Sequence, residues 1–156
     1  QVATLVGISA TQFSDLPDGF RRFLSSPANC SACKRWQMLL RWMVRDTSPD
    51  LGLWKLPAAK LTIPLDTHVH SISQMIGLTK LRSANLKAAQ EITRHLRQIA
   101  PKDPTQYDFA LAHLGISGQC KKTYNSEICT HCPLHDLCVH TKGSQTREEK
   151  EEGDPL

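Results

Sequence analysis

Four cysteines near the end of the chain constrain its fold more than any other feature of the sequence. Cys120, Cys129, Cys132 and Cys138 follow a C-x8-C-x2-C-x5-C spacing. Four thiolates in one short segment can enclose a single inorganic centre, and a cubane iron–sulfur cluster takes one thiolate per iron. A structural zinc also accepts four thiolates, but usually from two CxxC knuckles, and this segment has only one. The spacing favours a cluster over zinc, with disulfides third.

The composition is that of one small domain that does not depend on disulfides. The 156 residues are 40% hydrophobic, which is enough to bury one modest core. The sequence has neither a signal peptide nor an apolar run of transmembrane length. We therefore expect an intracellular setting, in which six cysteines serve metal or redox chemistry. Because the chain begins with Gln1 rather than Met, we expect it to be part of a longer protein.

The charge distribution favours a polyanionic partner. The formal net charge is +4, although the last residues of the chain are rich in glutamate. The body of the chain is therefore more basic than its total charge, which would suit binding to nucleic acid.

The spacing of apolar residues predicts an all-α fold, since no segment alternates as a strand would. Prolines at positions 49, 57 and 64 mark a connector between two of the helices. One short helix is predicted over about residues 10–16, and a longer one begins near Ser31. Three more helices are predicted from Asp66 or Thr67 to Gly77, from about 83 to 99, and from Asp103 to Gly115.

Each long helix has a predicted buried side. We also expect Trp36 and Trp42 to be core residues, and Trp54, in the insert, to be either a core or an exposed residue. Arg41 and Arg45 are expected on the polar side of their helix, facing either phosphate or solvent. The buried stripes are Trp36, Leu39, Leu40 and Met43 in the first, Leu65, Val69, Ile72 and Ile76 in the second, Leu86, Ala89, Ile92, Leu96 and Ile99 in the third, and Tyr107, Ala110, Leu111 and Leu114 in the fourth.

Two residues at predicted helix starts are candidates for chemistry. The positive end of the helix dipole disfavours an ammonium at Lys34, so this lysine is a candidate amine nucleophile. The alternative is a solvated lysine whose stem covers apolar surface. Asp66 is either a helix N-cap alone or an N-cap that also faces a cleft. Neither residue by itself decides between these readings.

The order of these parts resembles the endonuclease III branch of the helix-hairpin-helix DNA glycosylases. In that family a lysine begins a helix, a Val-Asp-Thr-His helix start follows, and a C-x6-C-x2-C-x5-C loop binds a [4Fe-4S] cluster. Leu65-Asp66-Thr67-His68-Val69 matches the second motif, and the four cysteines match the third with two extra residues in the first gap. Lys34 stands as the candidate for the lysine.

The sequence is also similar to an uncharacterised bacterial family related to those glycosylases. The segments that carry this second resemblance are Cys33-Lys34-Arg35, Leu40-Arg41-Trp42-Met43-Val44-Arg45, Asp50-Leu51-Gly52-Leu53-Trp54, Ile63-Pro64-Leu65-Asp66-Thr67-His68 and Asp103-Pro104 with Tyr107-Asp108-Phe109-Ala110-Leu111.

Three departures distinguish this chain from endonuclease III. Asn29-Cys30-Ser31-Ala32 stands where that family has the glycines of its hairpin. The insert at 46–60 lengthens the separation between the lysine and the aspartate. The N-terminal half of the helical barrel, which helps to form the base pocket, is absent from this sequence.

The resemblance implies an all-α, helix-hairpin-helix glycosylase-like domain with a C-terminal four-cysteine loop. Its implied organisation is an N-terminal segment over 1–29, the helical domain over 30–119, the [4Fe-4S] loop over 120–140 and a disordered charged tail over 141–156. The implied setting is the bacterial cytoplasm, at the nucleoid, and the implied state is a monomer with no membrane partner.

The implied activity is base-excision repair of double-stranded DNA that carries a damaged base or an abasic site. Lys34 would attack C1′ of the sugar after base flipping, and Asp66 would activate it or stabilise the cationic sugar. Lys121, Lys122 and Arg35 would contact phosphate. Two alternatives remain open, namely a non-catalytic iron–sulfur module that binds DNA and a zinc-stabilised interaction domain.

Overall fold

The computed structural model describes residues 15, 17–19 and 25–141 of the chain. Within those residues the regular structure is helical, with a single isolated bridge between Ser31 and Asn85 and no strand. The all-α prediction is therefore confirmed. No helix in the described part of the chain is long and apolar enough to cross a membrane. Of the helix predicted over residues 10–16, only residue 15 is described, and it lies in a turn.

The helices occupy the regions that the sequence predicts, but their bounds differ. The first begins three residues later than expected, and the fourth begins at Asp108 rather than after Asp103. The helices are α1 (Lys34–Val44), α2 (Thr67–Met75), α3 (Leu86–Ile99), α4 (Asp108–Ile116) and α5 (Ser126–Cys129), with 3₁₀ turns at Pro27–Asn29, Ala58–Lys60 and His135–Leu137.

Side-chain caps explain where α2 and α3 begin. The Asp66 carboxylate accepts hydrogen bonds from the backbone N–H groups of His68 and Val69, and the Asn85 side chain accepts from Ala88. These bonds satisfy N–H groups that lack a partner inside the helix. Asp103, the predicted cap of α4, instead accepts hydrogen bonds from the backbone and hydroxyl of Thr105 and forms a turn before that helix.

The hydrophobic core lies between α2, α3 and α4. Its largest fully buried side chains include Ile63, Val69, Ile72 and Ile92. Burial of each such side chain contributes roughly 1.5–3 kcal/mol. The core positions predicted for α2 are mostly confirmed, since Leu65, Val69 and Ile72 are buried.

Several predicted core positions were wrong. Ile99 is 64% exposed although it continues the apolar period of α3, because that helix ends at this residue. In α1 the buried residues are Arg41 and Val44, while the predicted stripe is only partly buried. Trp42 is exposed rather than a core residue, and Trp54 is exposed too.

Gly115 lies inside α4 and is not its C-cap, contrary to the sequence prediction. A Cβ built at this position would lie 2.8 Å from the Cβ of His68, in α2. Real Cβ atoms do not approach that closely, so α2 and α4 can pack at this distance only because position 115 has no side chain. This contact sets the position of α4 against the start of α2.

The last described residue also departs from the sequence prediction. Thr141, expected to begin a disordered tail, is buried, and its hydroxyl donates hydrogen bonds to the carbonyls of His135 and Cys138. The rest of the predicted tail lies outside the described residues.

Candidate functional site

Lys34 and Asp66 lie against each other, although 32 residues separate them in the sequence. Lys34 is the first residue of α1, and its Nζ lies 3.3 Å from Oδ2 of Asp66 at the start of α2. The lysine side chain is 45% exposed and the aspartate side chain 15%. The Lys34 amine is therefore accessible to solvent, whereas the Asp66 carboxylate is largely covered by the protein.

The two oxygens of Asp66 have different partners. Oδ1 accepts the backbone N–H groups of His68 and Val69, at 2.9 and 2.8 Å, while Oδ2 contacts Lys34. The two readings of Asp66 that the sequence left open therefore hold together. One oxygen caps the helix, and the other faces the cleft.

A cavity of about 350 Å³ opens beside this pair. The exposed aromatic side chains of Trp42 and Phe109 line it, and the Phe109 ring stacks on His113 with ring centroids 5.8 Å apart. A second, mainly apolar cavity of about 800 Å³ is also lined by Lys34, together with Arg35. Lys34 thus borders two cavities.

Two arginines that the sequence placed on a polar helix face are in fact buried. Arg41 pairs with Asp108 and with Asp50, and Arg45 pairs with Asp103 at 2.6 Å and with Asp50. These contacts join α1, the connector and the start of α4 into one charged cluster, so neither arginine is placed to meet phosphate.

Asp108 belongs both to that cluster and to the cavity. It is 5% exposed and lines the cavity together with Lys34 and Asp66. Burial raises the pKa of the Asp108 carboxyl to about 6, against the opposing effect of Arg41, and the negative charges of Asp66 and Asp50 add to the rise. Sequence analysis did not select Asp108 as a site residue, although it lies in one of the segments that carry the second family resemblance.

The turn before α1 has an unusual backbone although it contains no glycine. Cys30 and Cys33 both have a positive φ, of 55° and 50°, which glycine adopts most easily. Cys33 is buried, and its thiol donates towards the carbonyls of Ser25 and Ser31, whereas Cys30 is exposed. The buried thiol supports the turn that positions Lys34.

The four predicted ligand cysteines line one small cavity of about 30 Å³. All four are free thiols of intermediate exposure, and the backbone N–H of Asn125 lies 3.4 Å from Sγ of Cys129. Soft thiolate donors of this kind suit an iron–sulfur cluster or zinc, so the donor set fits either group. In the described residues no group of three or more His, Cys, Asp or Glu side chains is arranged to hold a metal ion.

The residues predicted to contact phosphate lie at two places. Lys121 and Lys122 are exposed beside the cysteine cavity, which Lys121 lines. Lys122 has a φ of 62°, so its backbone makes a sharp turn there. Arg35 is exposed in the first turn of α1. His135 and His140 also line the cysteine cavity, as further nitrogen donors near the thiols.

A family model described as "protein of unknown function (DUF2400)" matches residues 5–117. The chain belongs to the DUF2400 family. No curated protein and no solved structure matches the chain. The part that matches DUF2400 contains Lys34, Asp66 and Asp108, whereas the four cysteines all follow it.

Proposed function

We propose that this DUF2400 chain carries the catalytic site of a DNA N-glycosylase with AP-lyase activity. The observation that carries the proposal is the 3.3 Å contact between Lys34 Nζ and Asp66 Oδ2 at the edge of a cavity of about 350 Å³. An exposed amine with a fixed carboxylate beside it as proton acceptor can carry out Schiff-base chemistry at a sugar carbon.

Each residue has a defined part in this reaction. Lys34, as the free amine, bonds to C1′ of the sugar, and the glycosidic bond to the base breaks. Asp66 accepts a proton from the lysine or stabilises the positive charge that develops on the sugar. Its other oxygen is bound to two backbone N–H groups, so the carboxylate stays in place while Lys34 moves.

The backbone before α1 supports the resemblance to helix-hairpin-helix enzymes. Two non-glycine residues adopt left-handed conformations in this turn, at some energetic cost. The strained backbone is retained where the family uses glycine. We infer that this turn approaches a phosphate of the DNA, as a glycine-rich hairpin would.

Cys120, Cys129, Cys132 and Cys138 would hold a [4Fe-4S] cluster, with zinc as the alternative group. When bound, the cluster would brace the loop and no chemistry would pass through it. Lys121 and Lys122 would then be held beside the phosphate backbone. The proposed partner is double-stranded DNA with a damaged base or an abasic site, in the bacterial cytoplasm.

The test is trapping of a covalent adduct with borohydride on duplex oligonucleotides that carry an abasic site. We expect an adduct with the wild-type protein, its loss in Lys34→Ala and a strong decrease in Asp66→Asn. Lys87→Ala is the matched control, because Lys87 is also an exposed lysine in the first turn of a helix. It does not line the cavity.

A non-catalytic DNA-binding module is the competing proposal, favoured by the missing hairpin glycines. It predicts that the wild-type protein binds the abasic duplex but forms no adduct and releases no base. An adduct that persists in Lys34→Ala would assign the nucleophile to another residue.

A further inference from the structure

The cavity beside Lys34 contains a carboxyl that the proposed chemistry has not yet used. Asp108 begins α4, is buried, and lines the cavity with Lys34 and Asp66. Both oxygens of Asp66 are engaged, by backbone N–H groups and by Lys34. Asp66 is therefore held as an acceptor, and a proton donor for this cavity has to come from elsewhere.

The net charge of the buried cluster favours the binding of one proton. The cluster contains two guanidinium groups and three carboxyl groups, so it is neutral only when one carboxyl is protonated. Burial of an uncompensated charge is costly, which favours that proton. The members are Arg41, Arg45, Asp50, Asp103 and Asp108.

Asp108 is the member of the cluster best suited to hold that proton. Asp50 contacts both arginines, and Asp103 is partly exposed, with Arg45 and Thr105 as its partners. Asp108 has only Arg41 among the ion pairs, and it faces a second negative charge at Asp66. Its pKa of about 6 places the proton within reach near neutral pH.

The charged and titratable groups around Asp108 come from every neighbouring element. Arg41 and Lys34 face the cavity from α1, Asp66 from the start of α2, and His113 from α4 itself. Asp50, in the connector, adds a negative charge through the cluster. When Asp108 is protonated, this group carries one negative charge less. When Asp108 ionises, that negative charge lies beside Arg41.

We propose that Asp108 is the general acid of this site and donates its proton to the departing base. The inference rests on the proposed glycosylase function. The Lys34 amine bonds to C1′, the bond from C1′ to the base nitrogen breaks, and its electron pair passes to the base. The Asp108 O–H proton neutralises that base. The Asp108 carboxylate left behind is paired with Arg41 and regains a proton from water.

This role predicts different effects on two reactions of the same protein. At an abasic site no base departs, so adduct formation needs no proton for a leaving base. Release of a damaged base does need one. Asp108→Asn keeps the shape of the side chain and removes the acid, so it should slow base release much more than it slows adduct formation.

The experiment compares single-turnover base release with borohydride trapping, on duplexes that carry oxidised pyrimidines, oxidised purines or an abasic site. We expect Asp108→Asn to lower base release by about 10²–10⁴-fold and to lower trapping far less. The wild-type rate of base release should fall as pH rises through about 6, and this dependence should be lost in the variant. Asp46→Asn is the control, since Asp46 is an exposed carboxyl that belongs neither to the cluster nor to the cavity lining.

Each other result would overturn the assignment. Equal losses in both reactions would show that the carboxyl only supports the fold, and equal effects of Asp46→Asn and Asp108→Asn would show that the effect is not specific to Asp108. A wild-type protein that traps abasic sites but releases no base would refute the general acid alone. A wild-type protein with neither reaction would refute the proposed function together with this inference.

Discussion

The helical part of the chain and the cysteine segment are held together in different ways. The cluster of buried core residues is drawn from α2, α3 and α4, with Ala32 just before α1 and Ile63 and Leu65 just before α2. From residue 117 to 141 most hydrogen bonds are local turns, such as those from Cys132 to Cys129 and from His135 to Cys132. Cys120, Leu134 and Cys138 pack only against the edge of the core.

This difference shows where each site obtains its order. The Lys34–Asp66 pair joins the first residue of α1 to the N-cap of α2, and the buried side of α2 belongs to the core. The four cysteines are positioned by short turns with little buried apolar surface. Such segments are usually stabilised by the metal or cluster that they bind. The helical site should therefore survive changes that disorder the cysteine segment.

Replacement of one cysteine should have the largest effect. Cys132→Ser removes a thiol from the shared cavity, and we expect loss of the proposed cluster and of the visible absorbance that such a cluster gives. Structural metal sites contribute on the order of 10 kcal/mol of binding free energy, so residues 117–141 should become sensitive to protease. Far-UV circular dichroism should show that the helices remain. Cys30→Ser, at an exposed cysteine outside the cavity, is the control, and equal absorbance in both variants would contradict the assignment.

A core substitution should produce the opposite pattern. Ile92→Ala removes a fully buried side chain of α3, and the cavity it leaves should lower the free energy of unfolding by about 2–5 kcal/mol. Urea denaturation measures this value. Ile99→Ala, in the same helix but at a residue 64% exposed, should change it by less than about 0.5 kcal/mol. Similar losses at both positions would mean that Ile99 is covered in the protein.

The raised pKa of Asp108 predicts that stability depends on pH in the helical part. A carboxyl with a higher pKa in the folded state binds its proton more tightly when folded. The free energy of unfolding should therefore fall by a few kcal/mol as pH rises from about 4 to about 6, because a shift of one pKa unit corresponds to about 1.4 kcal/mol. Thermal unfolding across this range should show the decrease in wild type and a flatter profile in Asp108→Asn. A wild-type stability that rises across this range would contradict the assignment.

The smallest expected effect separates the two functions of Asp66. Asp66→Ala removes the N-cap of α2 and should cost about 1 kcal/mol of stability. Asp66→Asn keeps a capping oxygen and should cost less, although both variants lose the ion pair with Lys34. Asn85→Ala, which removes the cap of α3, provides a reference for the cap alone. Equal costs for Asp66→Ala and Asp66→Asn would show that the cap contributes nothing.

Local signals in the sequence were sufficient for part of this structure. The start of α2 at Asp66 was predicted because a cap residue and an apolar period agree there. The same period failed at Ile99, since periodicity alone does not show where neighbouring elements stop covering a helix. Gly115 was interpreted as a C-cap because glycine near a predicted helix end is a common local signal. Its close contact with His68 is a tertiary feature that the sequence does not reveal.

The charged cluster could not be predicted for the same reason. Arg41 and Arg45 were assigned to a polar face, as arginines in an amphipathic helix usually are. Their partners Asp50, Asp103 and Asp108 come from other segments, and only the fold brings them together. Lys34 and Asp66 were selected by resemblance to a family. Their contact results from the fold, and the periodicity of the sequence does not predict it.

The geometry of the candidate site depends on Gly115, although this residue does not line the cavity. The absence of a side chain there allows α4 to rest on His68, two residues after Asp66, and α4 begins with Asp108. The glycine therefore acts as a spacer between the lysine-bound carboxylate and the buried carboxyl. A methyl group at position 115 would move one acid away from the other, and a protein that still folds would lose the spacing on which the proposed chemistry depends.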